Sequence, residues 1–172
     1  FVYLDNFFPR TMLERVFAAF EEFAADKEES AAFRYPCQGE GRVEHMLPFR
    51  APFNEEALVA DARLRGVLEA FLGGAFKLEL ITVIDSPPGS GDQRWHQGWD
   101  ALFDENERLP PYAVVVTVPL RDTNIDMGPT EFCPRKKLRH YHGWRCPDPV
   151  QAGLTLARQS PIEIGSLAGT CG

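Results

Sequence analysis

The pattern of apolar and polar positions changes along the chain, from a helical period in residues 1–74 to strand-like alternation afterwards. Apolar residues recur at helical spacing between Met12 and Ala24, which predicts an amphipathic helix. We expect Thr11 to open this helix, because Thr11 and Glu14 have the spacing of a capping box. The helix should end at the charged run DKEES, residues 26–30.

A second helical pattern runs through the apolar positions of residues 58–72. Asn54 is the expected N-cap, and Glu55 and Glu56 are placed favourably against the helix dipole. A break near Asp61 could divide this helix into two. The glycine pair at residues 73–74 should end it.

From residue 75 onwards the pattern has a period of two, which indicates strands. The clearest are AFKLELITVI (75–84) and YAVVVTVPL (112–120), whose apolar run predicts burial on both faces. RWHQGW, PTEFC and SPIEIGSL are shorter candidates, and SPPGSG predicts a turn. Helices followed by strands favour an α+β, mainly β protein, with a sandwich or barrel packed against N-terminal helices. We expect one domain over residues 1–172, with a mainly helical layer at 1–74 and strands at 75–172.

Composition limits the classes of function. A chain of 172 residues can bury a core without disulfides, and its net charge of −7 argues against general nucleic-acid binding. No apolar run approaches the roughly 20 residues of a membrane span. The four cysteines form no C-x-x-C pair, so we expect free thiols and favour an intracellular over a secreted protein. The chain begins with Phe1 rather than Met, and we expect its natural N-terminus to be missing.

Three stretches together carry a family resemblance: QRWHQGWDALF, LPPYAVVVTVPLRD and MGPTEFCP. In their order and approximate spacing they resemble the phytanoyl-CoA dioxygenase-like family of Fe(II)/2-oxoglutarate oxygenases. The resemblance covers roughly residues 47–167. It implies a double-stranded β-helix, a cupin-like jelly roll with helices packed outside, which agrees with the order of helices and strands.

The resemblance also implies a reaction, two cofactors and a small-molecule substrate. Fe(II) and O2 would decarboxylate 2-oxoglutarate to succinate and CO2, and the oxidant formed would hydroxylate an unactivated C–H bond. Family members hold iron with a His-x-Asp pair on one strand and a distal His on a later strand. Side chains at positions i and i+2 of a strand share one face at about 6.6 Å, so two donors can bind one ion. Two His and one carboxylate leave open positions for a bidentate co-substrate and oxygen.

Residue by residue, His96 falls on the family's proximal metal ligand, but Gly98 stands where the carboxylate should be. This departure leaves three alternatives. Asp100 could replace the carboxylate; it lies about 13 Å from His96 on a straight strand, so it would need a bulge at Gly98. Gly98 could instead leave room for a halide, as in related iron halogenases. Finally, the iron site could be degenerate, leaving a scaffold that binds a ligand or a partner.

The distal His and the Arg that binds 2-oxoglutarate have no match in the chain, because no His occurs after His142. SPIEIGSLAGTCG resembles the segment before the family's last metal-binding strand, so we expect these residues to lie beyond Gly172. We therefore interpret the chain as truncated there.

A basic stretch covers residues 135–145, where the family's PGSH-like turn reads PRKK. Lys136, Lys137 and Arg139 could bind an anionic group of a CoA-like or phosphorylated substrate. A solvated basic face is the alternative. The same stretch contains four potential zinc ligands, at residues 133, 140, 142 and 146, but their spacing matches no standard zinc site. His45 stands alone, and we expect it to be structural or exposed.

Overall fold

A computed structural model describes residues 2–30, 32–33, 40–93, 110–132, 150–151 and 162–165; for residues 32–33, 150–151 and 162–165 the description covers the backbone only. These residues form three α-helices, eight short strands and one 3-10 turn, so the fold is mixed helix and sheet. The helices are α1 (Arg10–Ala25), α2 (Glu56–Val59) and α3 (Ala62–Leu72), and the 3-10 turn is Ile125–Met127. The strands are β1 (Val2–Leu4), β2 (Ala32–Phe33), β3 (Val43–Met46), β4 (Thr82–Asp85), β5 (Val115–Thr117), β6 (Glu131–Phe132), β7 (Val150–Gln151) and β8 (Ile162–Gly165).

All described strand pairs are antiparallel, and they form three small sheets. In the first sheet β8 lies between β1 and β5, with Tyr3 and Thr117 both opposite Glu163. In the second sheet β3 lies between β2 and β4. The third sheet pairs β6 with β7. The first sheet thus joins the two ends of the chain.

Helix α1 packs against both of the larger sheets through two clusters of buried apolar side chains. The first cluster contains Met12 and Leu13, and side chains on and around β5 pack against it. The second contains Val16, Phe20 and Phe23, with Val83 of β4 packed against it. Burial of each large apolar side chain stabilises the fold by about 1.5–3 kcal/mol. The apolar face predicted for the first helix therefore packs against both larger sheets, and α1 connects them.

The predicted capping box at the start of α1 is wrong. The helix begins at Arg10, after Pro9, and no side chain caps it. The Pro9 carbonyl accepts hydrogen bonds from the backbone of Met12 (3.0 Å) and Leu13 (3.3 Å). Because the N-cap position is at Pro9, two residues before Thr11, Thr11 lies inside the first turn and cannot cap the helix. The predicted end is confirmed, since α1 stops at Ala25, directly before DKEES.

The second helical pattern is divided at Asp61, as predicted, but Asn54 is not an N-cap. Its side-chain amide donates to the carbonyl of Phe49 at 3.0 Å and closes a turn before α2. Asp61 caps α3 by accepting from the backbone N–H of Arg63 (2.8 Å) and Leu64 (3.3 Å). Gly73 ends α3 at a φ of 82°, which confirms the predicted glycine stop.

Strands form in the predicted stretches that the structure describes, but they are shorter, and β1, β2, β3 and β7 were not predicted. Of residues 75–84, only the last three belong to β4, and of residues 112–120 only 115–117 form β5. Burial of β5 on both faces is wrong: Val116 packs against the first core cluster, whereas Val115 is 36% exposed. PTEFC and SPIEIGSL contain β6 and β8, and the SPPGSG turn is confirmed, while RWHQGW lies outside the described residues.

Candidate functional site

The predicted metal ligands lie in a part of the chain that the structure does not describe. His96, Gly98 and Asp100 all fall within residues 94–109. The structure therefore shows where the chain enters this segment, at Gln93, and where it leaves it, at Pro110. Within the described ranges no group of three or more His, Cys, Asp or Glu side chains could hold a metal ion.

The predicted anion-binding residues are also outside the described residues. Lys136, Lys137 and Arg139 belong to residues 133–149, as do the four potential zinc ligands. Strand β6 ends directly before this segment, at Phe132. Strand β7 begins directly after the segment, at Val150, which lies opposite Phe132, so the two ends of the segment lie next to each other in the third sheet.

Arg42 holds the turn that leads into the His96 segment. This turn, residues 86–91, comes directly after β4, and we call it the entry turn. The Arg42 Nε donates to Ser86 Oγ at 2.9 Å, and its Nη1 donates to the Gly91 carbonyl. One guanidinium therefore bonds to both ends of the entry turn, and its planar set of donors suits two acceptors at once.

The entry turn is also held by hydrogen bonds to backbone carbonyl groups. The Gly91 N–H donates to the Glu40 carbonyl at 2.8 Å, and Ser90 donates to the Pro87 carbonyl through its N–H (3.1 Å) and its hydroxyl (2.7 Å). Gly41 has a φ of +84°, and a Cβ atom there would lie 3.3 Å from Ser90 Oγ. The short segment before β3 thus determines where the chain enters residues 94–109.

A surface cleft of about 330 Å³ lies between α1 and the residues after β5. Arg10 forms an ion pair with Asp122 across it, and the hydrogen bond from Arg10 to Asp122 raises the pKa of Arg10. The Arg121 guanidinium lies 5.0 Å from the centre of the Phe17 ring. These contacts tie α1 to the segment that leads, through β6, to the basic stretch. The cleft is lined by Phe8, Arg10, Leu13, Glu14, Phe17, Leu120, Arg121 and Asp122.

His45 has a structural position, in agreement with one of the two expectations for it. It lies in β3, is 7% exposed, and its Nδ1 is 2.9 Å from Ser30 Oγ. The Phe20 ring packs edge-on against it at 5.3 Å. Its neighbours are a hydroxyl and an aromatic ring from the core.

Sequence reasoning missed two framework residues, Arg42 and Asp122. Each bonds to a partner far away in sequence: Gly91 for Arg42 and Arg10 for Asp122. Neither belongs to a motif or a periodic pattern, so only knowledge of the strand pairing could have revealed them.

Comparison with known proteins identifies the family. The model of the phytanoyl-CoA dioxygenase (PhyH) family matches residues 1–163, and the chain therefore belongs to this family. The family has a cupin or jelly-roll fold, and its members typically depend on Fe(II) and 2-oxoglutarate. Neither a curated protein nor a solved structure matches the chain. In the part of the chain described, no helix is long and apolar enough to cross a membrane.

Proposed function

We propose that the chain is an Fe(II)/2-oxoglutarate-dependent dioxygenase domain that hydroxylates an unactivated C–H bond of a small organic substrate. The observation that carries the proposal is the family match over residues 1–163. The WHQGW motif supports it, because the resemblance implies that its His96 is the proximal iron ligand. We also propose that residues 1–172 form one domain with a double-stranded β-helix. The pairing of β1 with β8 supports this, because it joins the two ends of the chain.

His96 and Asp100 are the proposed iron ligands. They supply one imidazole and one carboxylate, two of the three donors in the facial triad of non-haem Fe(II) oxygenases. Bound Fe(II) and 2-oxoglutarate would activate O2, and O2 would supply the oxidising power for attack on a C–H bond. Gly98 is the residue type that permits a bulge between the two ligands, since it lacks a Cβ atom. Arg42 positions the chain at the start of this segment through the entry turn.

The basic stretch gives the proposed site its substrate class. Lys136, Lys137 and Arg139 carry three positive charges in the segment that follows β6, in a chain whose net charge is −7. Guanidinium and ammonium groups bind phosphate and carboxylate groups well. The proposed role of these three residues is to bind an anionic group of the substrate, such as the phosphates of a CoA-like molecule.

An anaerobic titration with Fe(II) and 2-oxoglutarate tests the proposal. Chelation of iron by 2-oxoglutarate in the protein gives a visible charge-transfer band, which we expect from a protein that contains this chain together with the family's distal His and 2-oxoglutarate-binding Arg. His96→Ala should abolish the band, and Asp100→Ala should weaken it strongly, because each removes a donor. His140→Ala is the matched control and should leave the band unchanged. Absence of the band from that folded protein would contradict the proposal.

The variant Gly98→Asp restores the family's carboxylate. It distinguishes a site in which Asp100 binds iron from a site that has lost its carboxylate ligand. If Asp100 binds iron, Gly98→Asp should change iron affinity little or reduce it, because the site already has its carboxylate. If the site has lost its carboxylate, Gly98→Asp should create a band that the unmodified chain lacks. That second outcome would overturn the role of Asp100.

Gly98 supports one alternative function, a catalytically degenerate β-helix that binds a ligand or partner. Glycine has no donor atom, so a site built on His96 alone could not hold catalytic iron. A halogenase-type site is a further alternative, in which a halide occupies the position left by Gly98. Chloride should then shift the charge-transfer band in the unmodified chain, whereas an Asp100-ligated site predicts no chloride dependence.

A further inference from the structure

The segment directly before β4, residues 75–81, exposes a row of apolar side chains. Phe76 is 38% exposed, Leu78 is 49% exposed and Leu80 is 41% exposed. They alternate with Lys77 and Glu79. Single exposed apolar residues are ordinary, but a contiguous apolar row on a protein surface marks an interaction site.

The charged residues of this segment lie together on the opposite face. Lys77 Nζ is 2.7 Å from Glu79 Oε2, and the two side chains are 82% and 58% exposed. Side chains at i and i+2 share a face when the chain is extended. The ion pair therefore indicates an extended segment with one apolar face, formed by Phe76, Leu78 and Leu80, and one charged face.

The segment leads into β4, which lies at the edge of the second sheet among the described strands, because its one described neighbour is β3. Upstream of β4, the Ile81 carbonyl accepts from the Leu47 N–H at 3.0 Å. For residues 75–80, the described part of the chain shows no backbone hydrogen bond. Such an edge can accept another extended strand through backbone hydrogen bonds.

We propose that a second copy of this chain pairs with residues 75–81, antiparallel and with a two-fold axis at Leu78. In this register Leu78 faces its own copy, Phe76 faces Leu80, and Lys77 faces Glu79. Every apolar side chain meets an apolar one and every charge meets its opposite. A two-fold contact of this kind uses the same surface on both copies and closes into a dimer.

The charges select this register over its neighbours. A two-fold axis at Lys77 would place two lysines opposite each other, and an axis at Glu79 would place two glutamates opposite each other. Parallel in-register pairing would also align like charges. A shift by one residue would set the apolar face of one copy against the charged face of the other. The antiparallel register centred on Leu78 pairs apolar with apolar side chains on one face and opposite charges on the other. This self-complementarity favours a second copy over an unrelated partner.

Charge reversal tests the dimer, with sedimentation-equilibrium ultracentrifugation of the full chain as the measurement. We expect a dimer whose dissociation constant rises about tenfold or more in Lys77→Glu, because the change converts both symmetry-related attractive pairs into repulsive ones. Glu79→Lys should have the same effect. The combined variant with both changes should restore the dimer, since its charges are again opposite.

Mixing the two single variants gives the most specific result. Each single variant repels itself, but a Lys77→Glu chain and a Glu79→Lys chain are complementary and should form a heterodimer. Lys27→Glu, a reversal at another exposed lysine, is the matched control and should leave the dimer intact. A chain that is monomeric at every concentration, or a dimer insensitive to the Lys77 and Glu79 reversals, would overturn the proposal.

Oxidative trapping tests the position of the two-fold axis. Leu78→Cys should form a disulfide between the introduced thiols of two copies, because directly opposite residues in an antiparallel pair have Cβ atoms about 4.5–5.5 Å apart. Phe49→Cys is the control, because Phe49 is 68% exposed and lies outside the segment. Equal trapping of both variants, judged by peptide mapping, would contradict the register.

Discussion

Asp61 shows how one side chain can determine where a helix begins. Its carboxylate accepts from the backbone N–H groups of Arg63 and Leu64, and it also pairs with the Arg63 guanidinium at 3.0 Å. The hydrogen bond from the Arg63 side chain, together with these backbone bonds, lowers the pKa of Asp61. The Arg63 guanidinium lies 4.2 Å from the centre of the Phe7 ring, which connects this cap to the first core cluster.

The lowered pKa makes the contribution of Asp61 dependent on pH. The folded-state pKa lies below the unfolded-state value of about 3.9, so the stabilisation is present above about pH 4 and is lost as the pH falls through the folded-state pKa. Asp61→Ala should reduce the free energy of unfolding by about 1 kcal/mol at neutral pH. Asp61→Asn should cost less, because an amide oxygen can still cap the helix.

Urea unfolding at several pH values measures both effects. The difference between the unmodified chain and Asp61→Asn should shrink below about pH 4, where the carboxylate of the unmodified chain becomes protonated. Asp126→Asn, at an exposed aspartate, is the control. A difference that stays constant down to low pH would mean that Asp61 acts without its charge.

Single-residue detail was the part of the fold that the sequence predicted least well. The motif at Thr11 and Glu14 has the right spacing for a capping box, but the Pro9 carbonyl takes the first helical hydrogen bonds. Asn54 is a favoured N-cap residue type, yet its side chain closes a turn onto Phe49. Local rules could not choose among neighbouring capping residues, because the choice depends on how the whole helix packs.

At the scale of elements, α3 contains one glycine that should be replaceable and ends at one that should not. Gly66 is exposed inside the helix, and a Cβ atom there would meet nothing within 4 Å. Gly66→Ala should therefore stabilise the protein by about 0.5–1 kcal/mol. Gly73 also has open space around it, but its φ of 82° and ψ of −175° lie in a region that only glycine adopts readily. Gly73→Ala should therefore cost about 1–3 kcal/mol.

Thermal unfolding of the two variants, with Gly74→Ala as the control, distinguishes backbone strain from packing. Gly74 has no positive φ, and a Cβ atom added to it would meet nothing within 4 Å. Gly74→Ala should therefore change the free energy of unfolding by no more than about 0.5 kcal/mol. Similar effects at Gly66 and Gly73 would show that backbone conformation does not decide the outcome.

The existence of long periodic elements was predictable, whereas the short strands were not. The apolar stripe from Met12 to Phe23 has the period of a helix, and α1 forms there. Strands β1, β2 and β3 have two to four residues each, too few for a visible alternation. Their pairing partners come from distant segments, as β1 shows by pairing with β8. Long-range pairing of this kind is set by the tertiary fold.

At the scale of the whole molecule, α1 holds the described fold together by contacting both larger sheets. Its two core clusters share Leu58 and Leu120 as neighbours, so they are joined through the same side chains. Contacts of this framework occur on either side of residues 94–109: Arg42 bonds to Gly91 before them, and Arg10 of α1 pairs with Asp122 after them. The family could be inferred from sequence motifs and is confirmed by the family match. His96 as the proximal iron ligand stays a prediction, and the motif does not identify its carboxylate partner, because it is interrupted at Gly98.

This architecture predicts that the helical and strand parts unfold together. All three tryptophans, Trp95, Trp99 and Trp144, lie after residue 75, whereas the described α-helices lie before it. Tryptophan fluorescence should therefore report on the strand part and far-UV circular dichroism mainly on the helices. If residues 1–172 form one domain, the two signals should give the same urea midpoint. Val16 is 3% exposed in the second core cluster, and Val16→Ala should lower both midpoints equally, at a cost of about 2 kcal/mol.

Glu21→Gln, an exposed change on the same helix, should leave both midpoints in place. Two separate midpoints in the unmodified chain, or a Val16→Ala shift confined to circular dichroism, would mean that the helical layer folds independently of the strands. In that case the packing of α1 would not affect the stability of the segments around His96. A common shift of both signals would instead mean that the stability of the candidate site depends on a helix outside it.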